Sequence, residues 1–170
     1  VFLSSPGDYY IVVSTSTPPN CTPFNFSISP CGPTCSRNAN LSDNCSSPTP
    51  VALAINDTIC GFTDYQFTTD SSPDLDLDFC GSIENNGWFS FIADSTTMTI
   101  RMEVDNCLTG FGVQARVYET IDCLNFNPVS NCFNPQIAAS GTIVATTLTP
   151  GNTYYLMIDG YAGDDCEFNA

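Results

Sequence analysis

One stretch of the sequence occurs twice, and it restricts the fold more than any other feature. Pro150-Gly151-Asn152-Thr153-Tyr154-Tyr155-Leu156-Met157-Ile158-Asp159 is followed by a polar loop and then Cys166-Glu167-Phe168-Asn169. Pro6-Gly7-Asp8-Tyr9-Tyr10-Ile11-Val12-Val13-Ser14 is followed by a polar loop and then Cys21-Thr22-Pro23-Phe24-Asn25. The spacing from Tyr10 to Cys21 equals that from Tyr155 to Cys166. Each copy is a turn signal, an apolar strand, a loop and a Cys-led second strand, which reads as a β-hairpin. The two copies are offset by nearly the whole chain. The sequence therefore reads as one period of a repeating protein plus an overlap.

The rest of the chain follows the same idiom. Short runs of aromatic and β-branched residues are punctuated by Gly, Pro, Ser, Thr and Asn, an all-β pattern. With 170 residues the chain can bury one good core. The reading is an antiparallel two-sheet β-sandwich over 51–170, a Pro/Ser/Cys-rich linker over 30–50, and a terminal hairpin over 1–29 that belongs to a neighbouring unit. No apolar run reaches membrane-spanning length, so membrane insertion is not expected. Val1 starts directly in strand-like sequence, which is expected of a chain processed or cut from something longer.

Charge and cysteine content narrow the function. The chain has no Lys and no His, only Arg37, Arg101 and Arg116 are basic, and the formal net charge is −15. Nucleic acid, which needs a basic footprint, is excluded as an expected partner. Ten cysteines without a histidine argue for disulfides over zinc, and hence for an extracellular or cell-surface setting. Cys123 and Cys132 flank a loop and are expected to clip it. Cys107 follows one strand and Cys166 opens another, so a cross-strand bridge is expected. Without His or Lys no Ser-His-Asp, Cys-His or Ser-Lys arrangement can be built, and no enzyme activity is expected.

Residues 86–118 carry the clearest β signal. Asn86-Gly87 is a hairpin-turn dipeptide. Met98, Ile100, Met102 and Val104 alternate with Thr97, Thr99, Arg101 and Glu103. Phe111, Val113, Ala115 and Val117 alternate with Gly112, Gln114, Arg116 and Tyr118. Strict alternation predicts one buried and one wet face, with Arg101 and Arg116 on the wet face beside carboxylates. Further strands are expected at 51–55, 62–68 and within 137–148.

Two acidic stretches are candidate calcium ligands. Asp74, Asp76 and Asp78 fall on one side of an extended run, and Asp159, Asp164 and Asp165 share a glycine-containing loop. Neither has the Gly and terminal Glu of an EF-hand loop, and solvated loops are the preferred reading. Glycosylation candidates are Asn20, Asn25, Asn40, Asn44 and Asn56 in Asn-x-Ser/Thr sequences. Asp57-Thr58-Ile59 and Asp94-Ser95-Thr96 resemble the O-glycosylation motif of Bacteroidota secreted proteins, which implies modification at Thr58 and Ser95.

Trp88-Phe89-Ser90-Phe91, Gly112 to Tyr118, Cys123, Cys132, and Leu148 to Gly160 with Cys166 and Phe168 together resemble the Cys-containing β-sandwich repeats of large secreted surface proteins of Bacteroidota. Those repeats are related in shape to CUB and pre-peptidase C-terminal domains. The resemblance covers roughly residues 44–170 and implies a non-catalytic module of an adhesin, fibre or secreted enzyme. It also implies that 1–29 closes a preceding repeat. The second strand of the body then looks shortened, since the first copy runs on through Phe26-Ser27-Ile28-Ser29.

The functional expectation is a structural or adhesive unit of an extracellular filament, joined head to tail. Tyr9, Tyr10, Ile11, Val12, Val13 and Cys21 would complete the sheet of an adjacent repeat or another copy. The alternative is a module that binds surface glycans through exposed tyrosines such as Tyr118, Tyr155 or Tyr161.

Overall fold

A computed structural model describes residues 42–46, 51–56, 58–63 and 79–170. All of them belong to the unit Pro33–Ala170. The repeat copy at 1–29 and Asp74, Asp76 and Asp78 lie outside the described residues.

Among the described residues nine strands build two sheets. They are β1 (Val51–Leu53), β2 (Cys60–Phe62), β3 (Gly87–Ile92), β4 (Thr97–Asp105), β5 (Val113–Glu119), β6 (Asn127–Pro128), β7 (Gly141–Thr146), β8 (Thr153–Gly160) and β9 (Glu167–Asn169). One sheet has the order β1-β3-β8-β5-β6 and the other β2-β9-β4-β7. All ladders are antiparallel except β1–β3. The described residues contain no α-helix, only a short 3-10 turn at Tyr161–Gly163. The protein is an all-β two-sheet sandwich. From β3 onward the chain changes sheet at nearly every connection, so each strand buries the side that meets the opposite layer.

β4 shows how the sequence pattern becomes a layer. Met102 and Val104 are buried, Met98 and Ile100 are half-buried, and Thr97, Thr99 and Arg101 are exposed. The inward set packs on Phe89 and Phe91 of β3, Leu156 and Ile158 of β8, and Phe168 of β9. Burying side chains of this size stabilises by about 1.5–3 kcal/mol each.

β5 departs from the expected pattern. Gln114 and Tyr118 on its second face are fully buried, and Arg116 is half-buried, its Nε donating to the Ser130 carbonyl at 3.3 Å. The reason is a second apolar cluster on the outer face of the larger sheet. Trp88, Tyr118, Phe126, Met157 and Cys45 form it, with Phe79, Ile83 and Tyr155 packed beside them. Trp88 stacks on Phe126 with ring centroids 5.3 Å apart. Residues 42–46, inside the expected linker, belong to this layer, because Ser42 pairs with Trp88 and Cys45 is bonded to Cys123. Arg101 does lie on a wet face, in an exposed pair with Glu103 at 2.8 Å.

Two local expectations are corrected. Asn86-Gly87 is no hairpin turn: Asn86 is buried and Gly87 opens β3, whose partners are β1 and β8. The C-terminal copy of the repeated motif is no hairpin either. β8 lies in one sheet and β9 in the other, so the loop between them is a corner. Strand–loop–strand sequence does not say which sheet the second strand joins.

One side of the sandwich is closed. Val129 N–H donates to the Val117 carbonyl at 3.0 Å and its own carbonyl accepts from Thr146 at 2.9 Å, carrying the ladder from sheet to sheet. Three disulfides with both partners among the described residues staple the body: Cys45–Cys123, Cys80–Cys132 and Cys107–Cys166. The expected Cys123–Cys132 clip is thus replaced by two bridges that reach back to the segments covering the outer face. Cys60 is disulfide-bonded as well.

The Cys45–Cys123 bridge spans 78 residues of chain. Loop-entropy reasoning gives it about 2–5 kcal/mol of stabilisation. A Cys45→Ser/Cys123→Ser variant should unfold at correspondingly lower denaturant, and non-reducing peptide mapping of the parent should return the three pairs above. Recovery of a Cys123–Cys132 peptide would contradict this fold.

Candidate functional site

Two features stand out: a buried polar corner and an open groove. The corner is built from the end of β8. Asp159 is fully buried, and register places it opposite Gln114 of β5 on the covered outer face. Its Oδ1 accepts N–H bonds from Glu84 at 3.0 Å and Asn85 at 2.8 Å, and its Oδ2 accepts from Gln114 Nε2 at 2.7 Å. Asn85 Oδ1 accepts from Gly160 N–H at 3.0 Å, and Asn85 Nδ2 donates to the Asp164 carbonyl at 3.2 Å. A Cβ on residue 160 would collide with that carbonyl, so the position requires glycine.

Asp164 holds the next loop. Its carboxylate accepts N–H bonds from Thr109 at 2.8 Å, Phe111 at 2.7 Å and Gly112 at 3.1 Å. Its carbonyl accepts from the Thr63 hydroxyl at 2.9 Å, and that hydroxyl accepts from Cys166 N–H at 2.9 Å. The Cys107–Cys166 bridge then fixes the start of β9.

This geometry answers the calcium expectation for Asp159, Asp164 and Asp165. Asp159 and Asp164 direct their oxygens at N–H donors in different loops, and the three carboxylates do not converge as a ligand group. Among the described residues the one close set of ligand-type atoms is Cys107, Asp164 and Cys166. Its two sulfurs are bonded to each other and offer no thiolate. The corner is a structural clamp.

Its electrostatics are uneven. Burial pushes the Asp159 carboxyl up to about 6, against the lowering effect of Gln114 and the Glu84 and Asn85 N–H groups, and Glu84's charge adds to the rise. Burial also raises Asp164, but the bonds from Thr109, Gly112 and Phe111 outweigh it and leave it lowered. On the surface, Asp122 is lowered to about 2 by Asn125, Leu124 and Thr120.

The second feature is a groove of about 510 Å³ on the side of the sandwich away from Val129. One wall is the segment Leu53, Ala54, Ile55, Asn56 and Ile59 after β1, turned by Asn56 at φ 63°. The other wall is Thr97 to Arg101 of β4. Phe91 lies at the floor, Asp94 and Ser95 at one end, and Ala170 at the other.

Strand lengths create this groove. β7 pairs with β4 from Thr97 to Met102, whereas β9 on the other flank pairs only with Glu103, Val104 and Asp105. Ile59 and Ala170 exchange N–H to carbonyl bonds at 2.9 and 3.0 Å. Beyond that point the flank of β4 from Thr97 to Arg101 has no ladder partner among the described residues. The site offers backbone hydrogen bonds and half-buried Met98 and Ile100 side chains, with one carboxylate and one guanidinium in its lining.

The other expected site residues are dispersed. Thr58 and Asn56 are exposed, Ser95 is exposed at the groove mouth with its hydroxyl donating to the Thr97 carbonyl at 2.6 Å, and Asn44 is half-buried. Asn20, Asn25, Asn40, Tyr9, Tyr10, Ile11, Val12, Val13 and Cys21 lie outside the described residues. Tyr118 is buried against Trp88 and Phe126 and cannot stack on a sugar. Tyr155 and Tyr161 are half-buried. The open flank of β4 was missed in the sequence because an unpaired edge has no composition of its own. No family model, curated protein or solved structure matches the chain.

The clamp has a measurable signature. The folded state holds the Asp159 proton more tightly than the unfolded chain, whose carboxyl titrates near 3.8. Its contribution is therefore complete below about pH 4 and is lost as pH rises through 6, a change of about 3 kcal/mol. Denaturant titrations at stepped pH should show a flatter profile between pH 4 and 6 for Asp159→Asn than for the parent. Superimposable profiles would contradict the burial of an ionisable group there.

Proposed function

We propose that the chain is a structural unit of an extracellular filament or surface fibre, joined head to tail by strand complementation. The observation that carries this reading is that the flank of β4 from Thr97 to Arg101, beside an apolar groove, has no ladder partner among the described residues. A sheet edge with free N–H and carbonyl groups is a template for another strand, and soluble proteins usually cover or charge such edges. The repeated motif supplies candidate material. The body already has its own copy of that motif in β8 and β9, which sit in the interior of both sheets. The copy near the N-terminus is therefore surplus to a single sandwich.

A contact in which one surface of a unit receives a different segment of the next is heterologous, and repetition gives an open fibre unless the rotation closes a ring. Three disulfides suit an oxidising extracellular setting and would keep each unit folded under load. The acidic surface, with a net charge of −15, keeps lateral contacts between fibres weak. The glycan-binding alternative loses support with Tyr118 buried.

Sedimentation and negative-stain imaging of the full chain across a concentration series test this reading. End-to-end assemblies whose length grows with concentration are expected. A protein that stays monomeric at every concentration and binds saccharides would favour the glycan module instead.

A further inference from the structure

Gln114 sits between a carboxylate and a carbonyl. Its Nε2 donates one hydrogen to Asp159 Oδ2 at 2.7 Å and the other to the Ser82 carbonyl at 2.5 Å. Its Oε1 is buried and finds no donor among the described residues. The same holds for Asn134 Oδ1, although the Asn134 amide nitrogen donates to the Cys80 carbonyl at 2.9 Å. Both side chains approach Gly81: a Cβ there would lie 2.7 Å from Gln114 Oε1 and 3.6 Å from Asn134 Nδ2. Buried acceptors without donors are costly, so this arrangement, which suits an ionised Asp159, leaves two groups unsatisfied.

A proton on Asp159 permits a second arrangement. A neutral carboxyl offers an O–H where the carboxylate only accepts. Half a turn of the Gln114 amide brings Oε1 to that O–H and points Nε2 to the side where Gly81 leaves room and Asn134 lies. Asp159 Oδ1 keeps the N–H bonds from Glu84 and Asn85 in both states. Ser82 loses its donor, but it is exposed and its carbonyl can turn to water. We infer that the Gln114 amide is a proton-coupled switch, which ties Ser82 to β5 while Asp159 is ionised and releases it when Asp159 is protonated. The Cys80–Cys132 bridge and the two N–H bonds hold the rest of the strap at 79–86 in both states.

The charges around Asp159 set where the switch works. Glu84, on the strap, acts on it directly and favours the protonated form. On β5, Arg116 follows Gln114 on the same face and donates to the Ser130 carbonyl. On the loop after β8, the Asp164 carboxylate is taken up by N–H groups at 109–112, and Asp165 is buried. On the β3 side, Asn86 is buried and uncharged. Burial raises the Asp159 carboxyl to about 6, so the amide turns around that pH.

Side-chain NMR of the full, disulfide-intact chain tests this. The Asp159 ¹³Cγ and Gln114 Nε2 resonances are followed from about pH 7.5 to about pH 4.5, together with the coupling across the hydrogen bond from Gln114 Nε2 to the Ser82 carbonyl. Both resonances are expected to titrate with one midpoint near 6, and the coupling to be present at the upper end and lost at the lower. In Asp159→Asn the substituted amide nitrogen donates where the protonated carboxyl did, so the coupling should be absent at every pH. The titration of the parent decides the matter alone if that variant does not fold. A Gln114 amide that stays unchanged while Asp159 titrates would overturn the proposal. So would a coupling to Ser82 that persists in acid or in Asp159→Asn, or an Asp159 that stays ionised until the chain unfolds.

Discussion

The buried carboxylate of Asp159 is the constraint on which the rest of the structure depends. It sits at the end of β8, where the chain must leave one sheet and enter the other. Three N–H donors from two separate segments converge on it. A buried carboxylate without such donors would cost several kcal/mol, so those segments have little freedom to sit elsewhere. Asn85 extends the hold to Gly160 and Asp164, and Asp164 extends it to the loop at 109–112. The corner fixes β9, and β9 fixes how much of β4 is covered. A polar cluster that looks like a cation site thus sets the geometry of an apolar groove some distance along the strand.

That geometry is asymmetric. On one side, residues 129–133 weld the sheets together through backbone hydrogen bonds to β5 and β7. On the other, β9 pairs with β4 only at Glu103, Val104 and Asp105 among the described residues. The groove walls carry Ile55, Ile59, Met98 and Ile100, none of which is fully buried. An apolar edge of this kind invites pairing. In a chain with a net charge of −15, general stickiness is suppressed and one uncharged partner segment can still approach.

The sequence made the layers legible and left their connections obscure. β4 could be read because its alternation meets one core and one solvent face. β5 has the same alternation, but Gln114 and Tyr118 are covered by segments distant in sequence, which no local pattern records. The motif at 153–169 has all the marks of a hairpin, yet Asp159, Gly160 and Asp164 turn it into a corner. Cys107 and Cys166 could be paired because each stands at a strand end. Cys123 and Cys132 are near each other in sequence but bond Cys45 and Cys80, whose segments lie over the outer face. Acid and glycine in the 159–165 loop suggested calcium, but the oxygens of Asp159 and Asp164 accept from the backbone of 84–85 and 109–112 and from the Gln114 side chain.

The central proposal is that copies of this chain join head to tail by strand complementation. A high-resolution image of the native assembly tests it most directly. The account predicts a strand of one subunit hydrogen-bonded into a sheet of the next, repeated along the assembly. Assemblies in which every strand pairs within its own subunit would contradict it.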